Sequence, residues 1–338
     1  MSDLKTKIRL LRQEEKKQWN EFVRRSQGCF FHTYEWLEFL EKGLSLEPFH
    51  LVLEENGNIM AGMPNFAEPV RNLPIKRLSS LPQGDGAFFP GRDRKENLEK
   101  ILLGIKKICT RAGLASHRLM SSCLDLCKYS NQLERLGYTF KLDGCRCIID
   151  LDKPFPEIKA RFSKERIYDI KKVQADSRLQ IMDLDVNEEN LKIFYKIYLE
   201  TMGRIGGDPI PESFFKQIPG HVKEHTKLFM ARVEDRYIAG FIHFLDPFQK
   251  RINHYFGVSL NHSVPYKPNI LLHLHSIQWG IESGYHSYDM GGSGFFEDSI
   301  FKFKEQWGGD LVPNLIWEKN FPSVLGFVYK IGKKIHGR

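Results

Sequence analysis

The residues with the clearest chemical potential lie in one segment of the chain, residues 285–309. Its sequence is YHSYDMGGSGFFEDSIFKFKEQWGG. The segment holds a carboxylate at Asp289, two glycines at Gly291 and Gly292, and a lysine at Lys304. Glycine lets a ligand approach the main chain closely, and a lysine in a water-poor cleft can stabilise the oxyanion that forms during acyl transfer. The segment therefore predicts a site for acyl-transfer chemistry, with a solvated lysine beside an ordinary turn as the alternative.

Two local structures would position these residues. Side chains alternate between polar and apolar as far as Met290, which predicts a strand that ends in a turn at Gly291–Ser293. Such a turn exposes backbone N–H groups, and the hydroxyl of Ser293 lies beside them. The later run Phe-Lys-Phe-Lys at 301–304, if it is a strand, has both lysines on one face. Asp289 then stands at a strand end, where it either orients and deprotonates an attacking amine or caps the strand.

The length and composition predict a globular protein of two domains. The chain has 338 residues, of which 41% are hydrophobic and 12% aromatic, so it can bury two cores. The formal charge of +8 favours an anionic partner, such as a phosphorylated small molecule, tRNA or an anionic membrane. The sequence shows neither a signal peptide nor an apolar run of about 18 residues. These observations predict a cytoplasmic protein that does not span a membrane.

The cysteine pattern predicts buried thiols rather than a metal site. Six cysteines in 338 residues are too few for a disulfide scaffold. Cys123 and Cys127 are spaced CxxxC, and Cys145 and Cys147 are spaced CxC. Neither spacing matches a common zinc module, so we expect no bound metal.

The first half of the chain predicts a series of helices and strands. Thr33 is suited to cap a helix that carries Trp36. Residues 49–63 predict a hairpin with Asn-Gly at its turn. A basic amphipathic helix at about 94–112 and a strand at 115–120 follow.

The second half repeats the hairpin. Residues 228–244 again predict a strand, a polar turn and a strand. The pair Ala239-Gly240 repeats the pair Ala61-Gly62 at an offset of 178 positions. This match alone could arise by chance.

A second match supports the repeat. A helix that is followed by a glycine and a strand occurs twice, with Gly113 and Gly284 at an offset of 171 positions. Two matches in the same order predict a duplicated mixed α/β domain. We expect an N-terminal domain at 1–150, a C-terminal domain at 151–320 and a tail at 321–338.

A cation-rich helix is predicted between the two repeats, at residues 159–172. It carries Lys164, Arg166 and Lys171. These cations could clamp phosphate groups, and Arg166 is the best anchor because its planar guanidinium can bind an oxyanion at two points. The alternative is a solvated helix face, which is what most runs of charge are.

The C-terminal tail predicts a short basic amphipathic helix. One side carries an apolar stripe of Val324, Phe327, Val328, Ile331 and Ile335. The cations beside it are Lys330, Lys333, Lys334 and Arg338. Such a helix can dock on the protein's own core or on an anionic bilayer. We expect docking on the core, because membrane contact of this kind needs more apolar area or a lipid anchor.

Several motifs together resemble one family of transferases. They are FHTYEW at 31–36, KERIYDIKK at 164–172, HYFGVS at 254–259, the Pro268-Asn269 helix start, YDMGGS at 288–293 and FKFKEQWGG at 301–309. With the duplicated unit, they resemble the Fem-type transferases from about residue 28 to about residue 312. Members of that family have two acetyltransferase-like (GNAT) domains and build peptidoglycan cross-bridges from aminoacyl-tRNA. The chain also resembles relatives associated with exopolysaccharide production, which commonly have a tryptophan where Trp307 stands.

The resemblance implies roles for individual residues. Lys304 would stabilise the carbonyl oxygen of the reacting ester, and Arg166 would hold the diphosphate of the acceptor. His254 and Phe256 stand where the family often has tyrosines that line the acceptor channel, a departure that removes two hydroxyl groups. His254 or Asp289 would accept the proton of the amine, unless water does. The remaining candidates for substrate binding are Lys164, Lys171, Trp36, Asn269, Gly291, Gly292, Ser293 and Trp307.

The predicted function is amide-bond formation by acyl transfer. The resemblance implies aminoacyl-tRNA as the donor, no bound cofactor, and the amine of a nucleotide- or lipid-linked precursor of peptidoglycan or another envelope polymer as the acceptor. The cytoplasm is the expected location, and peripheral contact with the inner face of an anionic membrane is compatible with it.

Two alternatives remain at this point. One is an acyl-CoA-dependent N-acyltransferase of exopolysaccharide or surface-glycan synthesis. The usual pyrophosphate loop of such enzymes opens a helix, and Arg204-Ile205-Gly206-Gly207 has the wrong spacing for it. The other alternative is a non-catalytic protein of the same fold that docks on glycans or on a membrane.

Overall fold

Two α/β units make up the part of the chain that the structure describes. The computed structural model describes residues 6–70, 73–81, 89–90, 94–121, 127, 129–294 and 298–321. Unit 1 comprises the described residues within 1–37, 45–143 and 313–338. Unit 2 comprises the described residues within 38–44 and 144–312. The boundary expected at 150/151 thus falls at 143/144. The predicted tail helix lies outside the described residues.

Unit 1 combines two sets of paired strands with helices. Its strands are β1 (Thr6–Leu10), β2 (Glu47–Pro48), β3 (Leu51–Glu55), β4 (Asn58–Met63), β5 (Phe66–Pro69), β6 (Lys76–Ser79), β7 (Phe89–Pro90), β8 (Ser116–Ser121) and the end of β15 (Asp310–Asn320). Its helices are α1 (Lys16–Arg25), the start of α2 (Tyr34–Leu44), α3 (Arg94–Arg111) and α4 (Ser130–Arg135). The strands pair in the orders β1-β3-β4-β7 and β15-β8-β6-β5-β2.

Unit 2 is built on one mixed sheet. Its strands are β10 (Leu179–Leu184), β11 (Thr226–Val233), β12 (Arg236–Asp246), β13 (Arg251–Ser259), β14 (Ser287–Ser293) and most of β9 (Thr139–Asp150). They pair in the order β10-β11-β12-β13-β14-β9. Its helices are α5 (Phe155–Ala160), α6 (Lys164–Ala175), α7 (Glu188–Ile205), α8 (Glu212–His221), α9 (Pro268–Glu282) and α10 (Asp298–Glu305).

Local signals in the sequence start and stop these elements. The hydroxyl of Thr33 accepts a hydrogen bond from the backbone N–H of Trp36 and caps α2, as predicted. Ser163 caps α6 in the same way. Each such cap stabilises its helix by about 1 kcal/mol. The predicted Asn56-Gly57 turn joins β3 to β4, with positive φ at both residues.

The predicted duplication is visible in the register of two hairpins. In the hairpin of β3 and β4, Leu53 pairs with Ala61, and a bulge shifts the register directly after that pair. In the hairpin of β11 and β12, Ala231 pairs with Ala239, and the bulge follows at the same point. The repeat is therefore confirmed at the level of single residue pairs.

A glycine in each hairpin makes room for an aromatic ring of a helix. A Cβ added to Gly62 in β4 would lie 2.3 Å from the ring of Trp19 in α1. A Cβ added to Gly240, at the same register position of β12, would lie 2.3 Å from the Sδ atom of Met230 in β11 and 3.1 Å from the ring of Phe194 in α7. Both rings are fully buried. The repeated Ala-Gly pair thus marks where a helix packs on each sheet.

The structure differs from two local structures considered for the chemical segment. The Phe-Lys-Phe-Lys run belongs to helix α10, so its two lysines do not share a face. A helix suits the segment because Phe303 and Trp307 are four residues apart and flank one buried guanidinium. The strand that was expected to stop at Met290 continues as β14 through Ser293, and a bulge replaces the expected turn.

Candidate active site

Strands β13 and β14 of unit 2 part where the candidate site begins. They pair in parallel as far as Asn253 and Asp289, and the pairing ends there. Beyond that point each strand contains a bulge. Tyr255 is the extra residue of β13, and Met290 and Gly291 stand opposite a single residue of β9. Bulges redirect side chains and interrupt backbone pairing, and they are common beside active sites.

Gly291 lies in a position that excludes a side chain. Its φ is +78°, and an added Cβ would lie 3.1 Å from the carbonyl oxygen of His254. A left-handed conformation costs an L-residue about 1–2 kcal/mol. The glycine that the sequence singled out is thus required by the close approach of β13 and β14 at this bulge.

Helix α10 brings Lys304 to the same bulge. The Nζ atom of Lys304 donates hydrogen bonds to the carbonyl oxygens of Gly291 at 3.0 Å and of Gly292 at 2.6 Å. The structure therefore brings together the glycines and the lysine that the sequence proposed for oxyanion stabilisation. The two carbonyls fix the position of the positive charge where the two strands part.

Asp289 holds the bulge rather than facing a substrate. Its side chain is 0% exposed. One carboxylate oxygen accepts a hydrogen bond of 2.8 Å from the backbone N–H of Gly291, and the other lies 2.6 Å from Nη2 of Arg146. Both oxygens are thus engaged, and of the two roles considered for Asp289 the geometry fits the cap. Arg146 was missed by sequence reasoning, although a lone cation between two cysteines of a buried strand was a usable signal.

Buried aromatic and imidazole rings lie beside Lys304. The ring centroid of His254 is 4.3 Å from that of Phe241, 5.0 Å from that of His273 and 5.3 Å from that of His243. Burial, followed by the neighbouring histidines and Lys304, lowers the pKa of His254 well below its usual value. His254 is therefore neutral at physiological pH, and it is a weak base.

The remaining members of this imidazole cluster each contact one hydroxyl group. His273 Nδ1 lies 2.7 Å from the hydroxyl of Tyr288, and His243 Nε2 lies 2.9 Å from that of Ser276. Burial lowers the pKa of His243 to about 3. These histidines support the site as neutral polar side chains of the core, and sequence reasoning did not identify them.

Arg166 points into the core of unit 2 instead of outwards. It is 1% exposed, and its guanidinium lies 4.4 Å from the ring centroid of Phe303 and 4.9 Å from that of Trp307. Its Nη2 donates to the carbonyl oxygen of Phe303 at 3.2 Å and to Oε1 of Gln306 at 2.6 Å. Burial lowers the pKa of Arg166. Arg166 thus clamps the end of α10 through Nη2, and its guanidinium, which was expected to clamp a phosphate, lies buried between two rings.

Most other predicted binding residues are buried. Trp307 is fully buried against Phe162 and His273, and Ser293 is buried at the end of β14. Phe256 packs on Tyr198 of α7. Trp36 is fully buried among phenylalanines of unit 1.

Three predicted binding residues are less buried. Asn269 is half-buried in the first turn of α9, and Lys164 and Lys171 are exposed on α6. The structure thus separates the lysines of the cation-rich helix, which reach solvent, from its arginine, which does not.

The described cysteines are free thiols. Cys145 and Cys147 lie on β9 near Lys304, and burial raises the pKa of Cys147 to about 11. The Sγ atom of Cys147 lies 3.5 Å from the carbonyl oxygen of Lys304. Across the described ranges, no three His, Cys, Asp or Glu side chains are grouped so that they could hold a metal. Cys123 lies outside the described residues.

The loop between β13 and α9 leads into a helix, as the pyrophosphate cradle expected of an acetyl-CoA enzyme would. It forms a 3-10 turn at Asn261–Tyr266 that contains Pro265, and α9 begins at Pro268. Both prolines lack the backbone N–H that such a cradle uses. Gly206 caps the C-terminus of α7 with φ +68°, so it does not open a helix either.

Part of unit 2 resembles an acetyltransferase-type (GNAT) domain. Residues 164–305 match the family described as acetyltransferase (GNAT) domain. This range extends from α6 to α10 and includes His254, Asp289 and Lys304. No curated protein sequence matches the chain significantly.

Solved structures extend the likeness to the whole chain. FemX has a TM-score of 0.72 and 16% identity, over 96% of this chain and 99% of that one. A tandem GNAT protein of the clavulanic acid biosynthesis pathway has a TM-score of 0.63 and 9% identity, over 94% and 100%. The C-terminal domain of a putative lysylphosphatidylglycerol synthetase from Agrobacterium fabrum has a TM-score of 0.59 and 10% identity, over 95% of this chain and 96% of that one. The chain therefore has the tandem GNAT fold, which confirms the predicted Fem-type resemblance at the level of the fold.

The structure also bears on membrane insertion. Among the helices of the described residues, none is long and apolar enough to cross a bilayer.

Proposed function

We propose that this protein is an acyltransferase that transfers an aminoacyl group from aminoacyl-tRNA to the amine of a peptidoglycan or other cell-envelope precursor. The observation that carries the proposal is the position of Lys304. Helix α10 delivers its ammonium group to the glycine bulge of β14, where β13 and β14 part. A fixed positive charge at exposed main chain suits an ester carbonyl oxygen that becomes negative in the transition state.

The reaction needs no covalent enzyme intermediate. The amine nitrogen of the acceptor attacks the ester carbonyl carbon of the donor, and the carbonyl oxygen becomes an oxyanion. The intermediate then collapses, so that a C–N bond has formed and the C–O bond to the ribose of the tRNA has broken. One proton leaves the amine, and one proton reaches the ribose oxygen. Lys304 stabilises the oxyanion, and the enzyme fixes the approach of the two substrates.

Water is the best acceptor for the proton of the amine. Asp289 uses both carboxylate oxygens to hold Gly291 and Arg146. The pKa of His254 is far below its usual value because the ring is buried among other histidines and near Lys304. A general base works best when its pKa lies near the operating pH, which His254 does not satisfy here, and the carboxylate of Asp289 is already held by its two partners. We therefore assign positioning roles to Asp289 and His254.

Two observations favour an ester carried by RNA over a thioester as the donor. The connection between β13 and α9 contains Pro265 and Pro268 where a pyrophosphate cradle needs backbone N–H groups. The formal charge of +8 also suits a polyanionic donor. The acceptor is proposed to be nucleotide- or lipid-linked, and the reaction to occur in the cytoplasm, at the inner face of the membrane for a lipid-linked acceptor.

One observation favours a second candidate function. The match of residues 164–305 is to an acetyltransferase family, and a structural neighbour is a tandem GNAT protein that was solved without acetyl-CoA. An acyl-CoA donor for exopolysaccharide or surface-glycan synthesis is therefore the alternative. In that reaction the C–S bond of the thioester breaks instead of a C–O bond, and Lys304 has the same role.

The experiment that separates these functions uses the purified protein. It is incubated with a labelled mixture of aminoacyl-tRNAs and a panel of envelope precursors, and in parallel with labelled acetyl-CoA. Wild type is compared with Lys304→Ala. We expect label in an amide product from the tRNA donor, with a strong loss for Lys304→Ala.

Two results would contradict the proposal. Transfer from the thioester alone would establish the acyl-CoA alternative. Binding of a glycan or vesicle without turnover of either donor would identify a non-catalytic protein of the same fold.

A further inference from the structure

One face of helix α6 presents cations around an aromatic ring. Lys164, Tyr168, Lys171 and Lys172 are all exposed, and Tyr168 is 68% exposed. Their spacing of four, three and one residues places them on a single face. The four residues span positions 164–172 of the helix, so the face is about 12 Å long. We call these four residues the α6 face.

The acidic residues of the same segment are engaged elsewhere. Glu165 accepts a hydrogen bond from Gln306, and Asp169 pairs with Lys267 at 2.6 Å. Asp176, just after the helix, pairs with Arg178. Within the described ranges, no carboxylate forms an ion pair with a lysine of the α6 face. The lysines of this face are therefore not held in ion pairs by the acids of their own helix.

The opposite side of α6 is committed to the core. Ile170 and Val173 pack in one cluster with Ile270 and Leu274 of α9. An amphipathic helix that binds a bilayer instead turns a broad apolar side towards the lipid. On the α6 face, the single large apolar group is the ring of Tyr168. The arrangement thus favours a flexible polyanion with stacking bases over a lipid surface.

The α6 face begins beside the helix that carries Lys304. The backbone N–H of Ser163 donates to the carbonyl oxygen of Gln306 at 2.9 Å, and the side-chain amide of Gln306 donates to Glu165. Gln306 is two residues from Lys304. A strand of polyanion that lies along α6 would therefore have one end next to the element that holds the candidate oxyanion-stabilising lysine.

We propose that the α6 face docks the single-stranded 3′ end of an RNA donor. Tyr168 stacks on a base, and Lys164, Lys171 and Lys172 contact the phosphates on either side. Aromatic rings between cations are the usual means of holding single-stranded nucleic acid without reading its sequence. This inference rests on the proposed function, because it places the donor of that reaction on a surface of unit 2.

The test measures binding of a deacylated tRNA and of a single-stranded RNA that matches its 3′ end. Fluorescence anisotropy is recorded at a series of salt concentrations. The triple variant Lys164→Gln, Lys171→Gln, Lys172→Gln is expected to lower the magnitude of the slope of log K against log salt by about 2. Tyr168→Ala is expected to weaken binding by about tenfold, and Tyr168→Phe is expected to retain it.

A matched control changes the same charge on another helix. Lys95→Gln, Lys106→Gln, Lys107→Gln removes three exposed lysines from α3 of unit 1. This variant is expected to bind RNA like the wild type. All the substituted side chains are exposed, and thermal unfolding of each variant confirms that it is folded.

The outcomes separate the docking surface from the proposed function. If the α6 triple variant binds RNA with the affinity and salt slope of wild type, or if the α3 triple variant is equally weakened, the docking surface is wrong. If wild type binds anionic phosphatidylglycerol vesicles through the α6 face and does not bind RNA, the partner is a membrane and the inference is overturned. If RNA binds through the α6 face but no aminoacyl transfer occurs, the docking surface stands and the proposed function fails.

Discussion

The two units share a hairpin scaffold and differ where their parallel strands meet. In unit 1, β6 and β8 stay joined beyond their paired residues. Ser80 donates from its backbone N–H to the carbonyl oxygen of Arg118, and its hydroxyl accepts from the N–H of Met120. In unit 2, the corresponding β13 and β14 part after Asn253 and Asp289. One copy therefore keeps the strands joined at this point, and the other opens them.

Charge is also arranged in opposite ways at this point. In unit 1 the arginine stands on the parallel strand, and Arg118 lies 3.3 Å from Asp143 of β9. In unit 2 the carboxylate stands on the parallel strand, and Asp289 lies 2.6 Å from Arg146 of β9. The second pair is the more buried one. The carboxylate of Asp289 also accepts a hydrogen bond from the N–H of Gly291. This bond shapes the bulge that Lys304 contacts.

The comparison shows that both units repeat the packing of the hairpin, whereas the candidate site lies in unit 2. The Ala-Gly pairs and their bulges match residue for residue, because a helix must pack at the same place in both units. The opened strands, the glycine bulge and the lysine belong to unit 2. The predictions below test whether this local difference separates a functional unit from a scaffold.

The largest effect is expected from the buried ion pair. Asp289→Asn removes the charge that Arg146 faces and is expected to lower the free energy of unfolding by about 3 kcal/mol. Asp143→Asn breaks the more exposed pair of unit 1 and is expected to cost less than about 1 kcal/mol. Urea unfolding of both variants measures the difference. Equal losses would show that the two pairs are equivalent and would remove this part of the comparison.

A glycine in each unit provides the second test. Gly291→Ala is expected to slow acyl transfer by about 100-fold, because a shift of about 1 Å at the site has effects of that size. Gly57→Ala is the matched control: its φ is +82°, and an added Cβ would meet nothing within 4 Å. Both variants carry the strain of a left-handed alanine, so both should lose about 1–2 kcal/mol of stability. A Gly291→Ala protein with full activity would show that the bulge is not part of the site.

Arg166 provides the third test. Arg166→Met removes the bonds to Phe303 and Gln306 at the end of α10 and is expected to lower kcat by about tenfold with KM unchanged. Arg166→Lys should not restore activity, because lysine lacks the planar guanidinium that stacks between the two rings. Arg77→Met of unit 1 is the control and should leave kcat unchanged. A rise in KM with constant kcat would instead indicate that Arg166 binds substrate.

The buried histidines predict a pH dependence that both units share. Burial lowers the pKa of His117 in unit 1 and of His243 in unit 2 to about 3. The unfolded chain therefore binds more protons than the folded chain between about pH 3 and pH 6.5, and stability is lost as the pH falls through this window. His117→Gln is expected to reduce the slope of unfolding free energy by about 1.4 kcal/mol per pH unit. An unchanged slope would mean that His117 is protonated in the folded protein.

The repeated scaffold could be predicted from the sequence because its signals are local. The Asn56-Gly57 turn, the Thr33 cap and the repeated Ala-Gly pairs each act within a few residues of chain. The candidate site was predicted in part. Lys304 and its glycines were recognised by residue type and by resemblance, and the structure brings them together.

The parts that were missed depend on contacts between distant segments. Arg146 meets Asp289 across two strands that lie far apart in sequence. A strand was considered for Lys302 and Lys304, because alternation alone does not show that Phe303 and Trp307 pack on Arg166. The burial of Arg166 could not be predicted either, since a helix rich in cations gives no sign of which cation faces the core.

The most direct test of the central claim is the rate of acyl transfer with two lysines of one helix. Lys304 contacts the glycine bulge, and Lys302 is exposed on α10 two residues away. Under single-turnover conditions, Lys304→Ala is expected to lose about 100-fold or more in rate, and Lys302→Ala is expected to keep the rate of wild type. Equal rates for the two variants would contradict the assignment of the site to the bulge of unit 2.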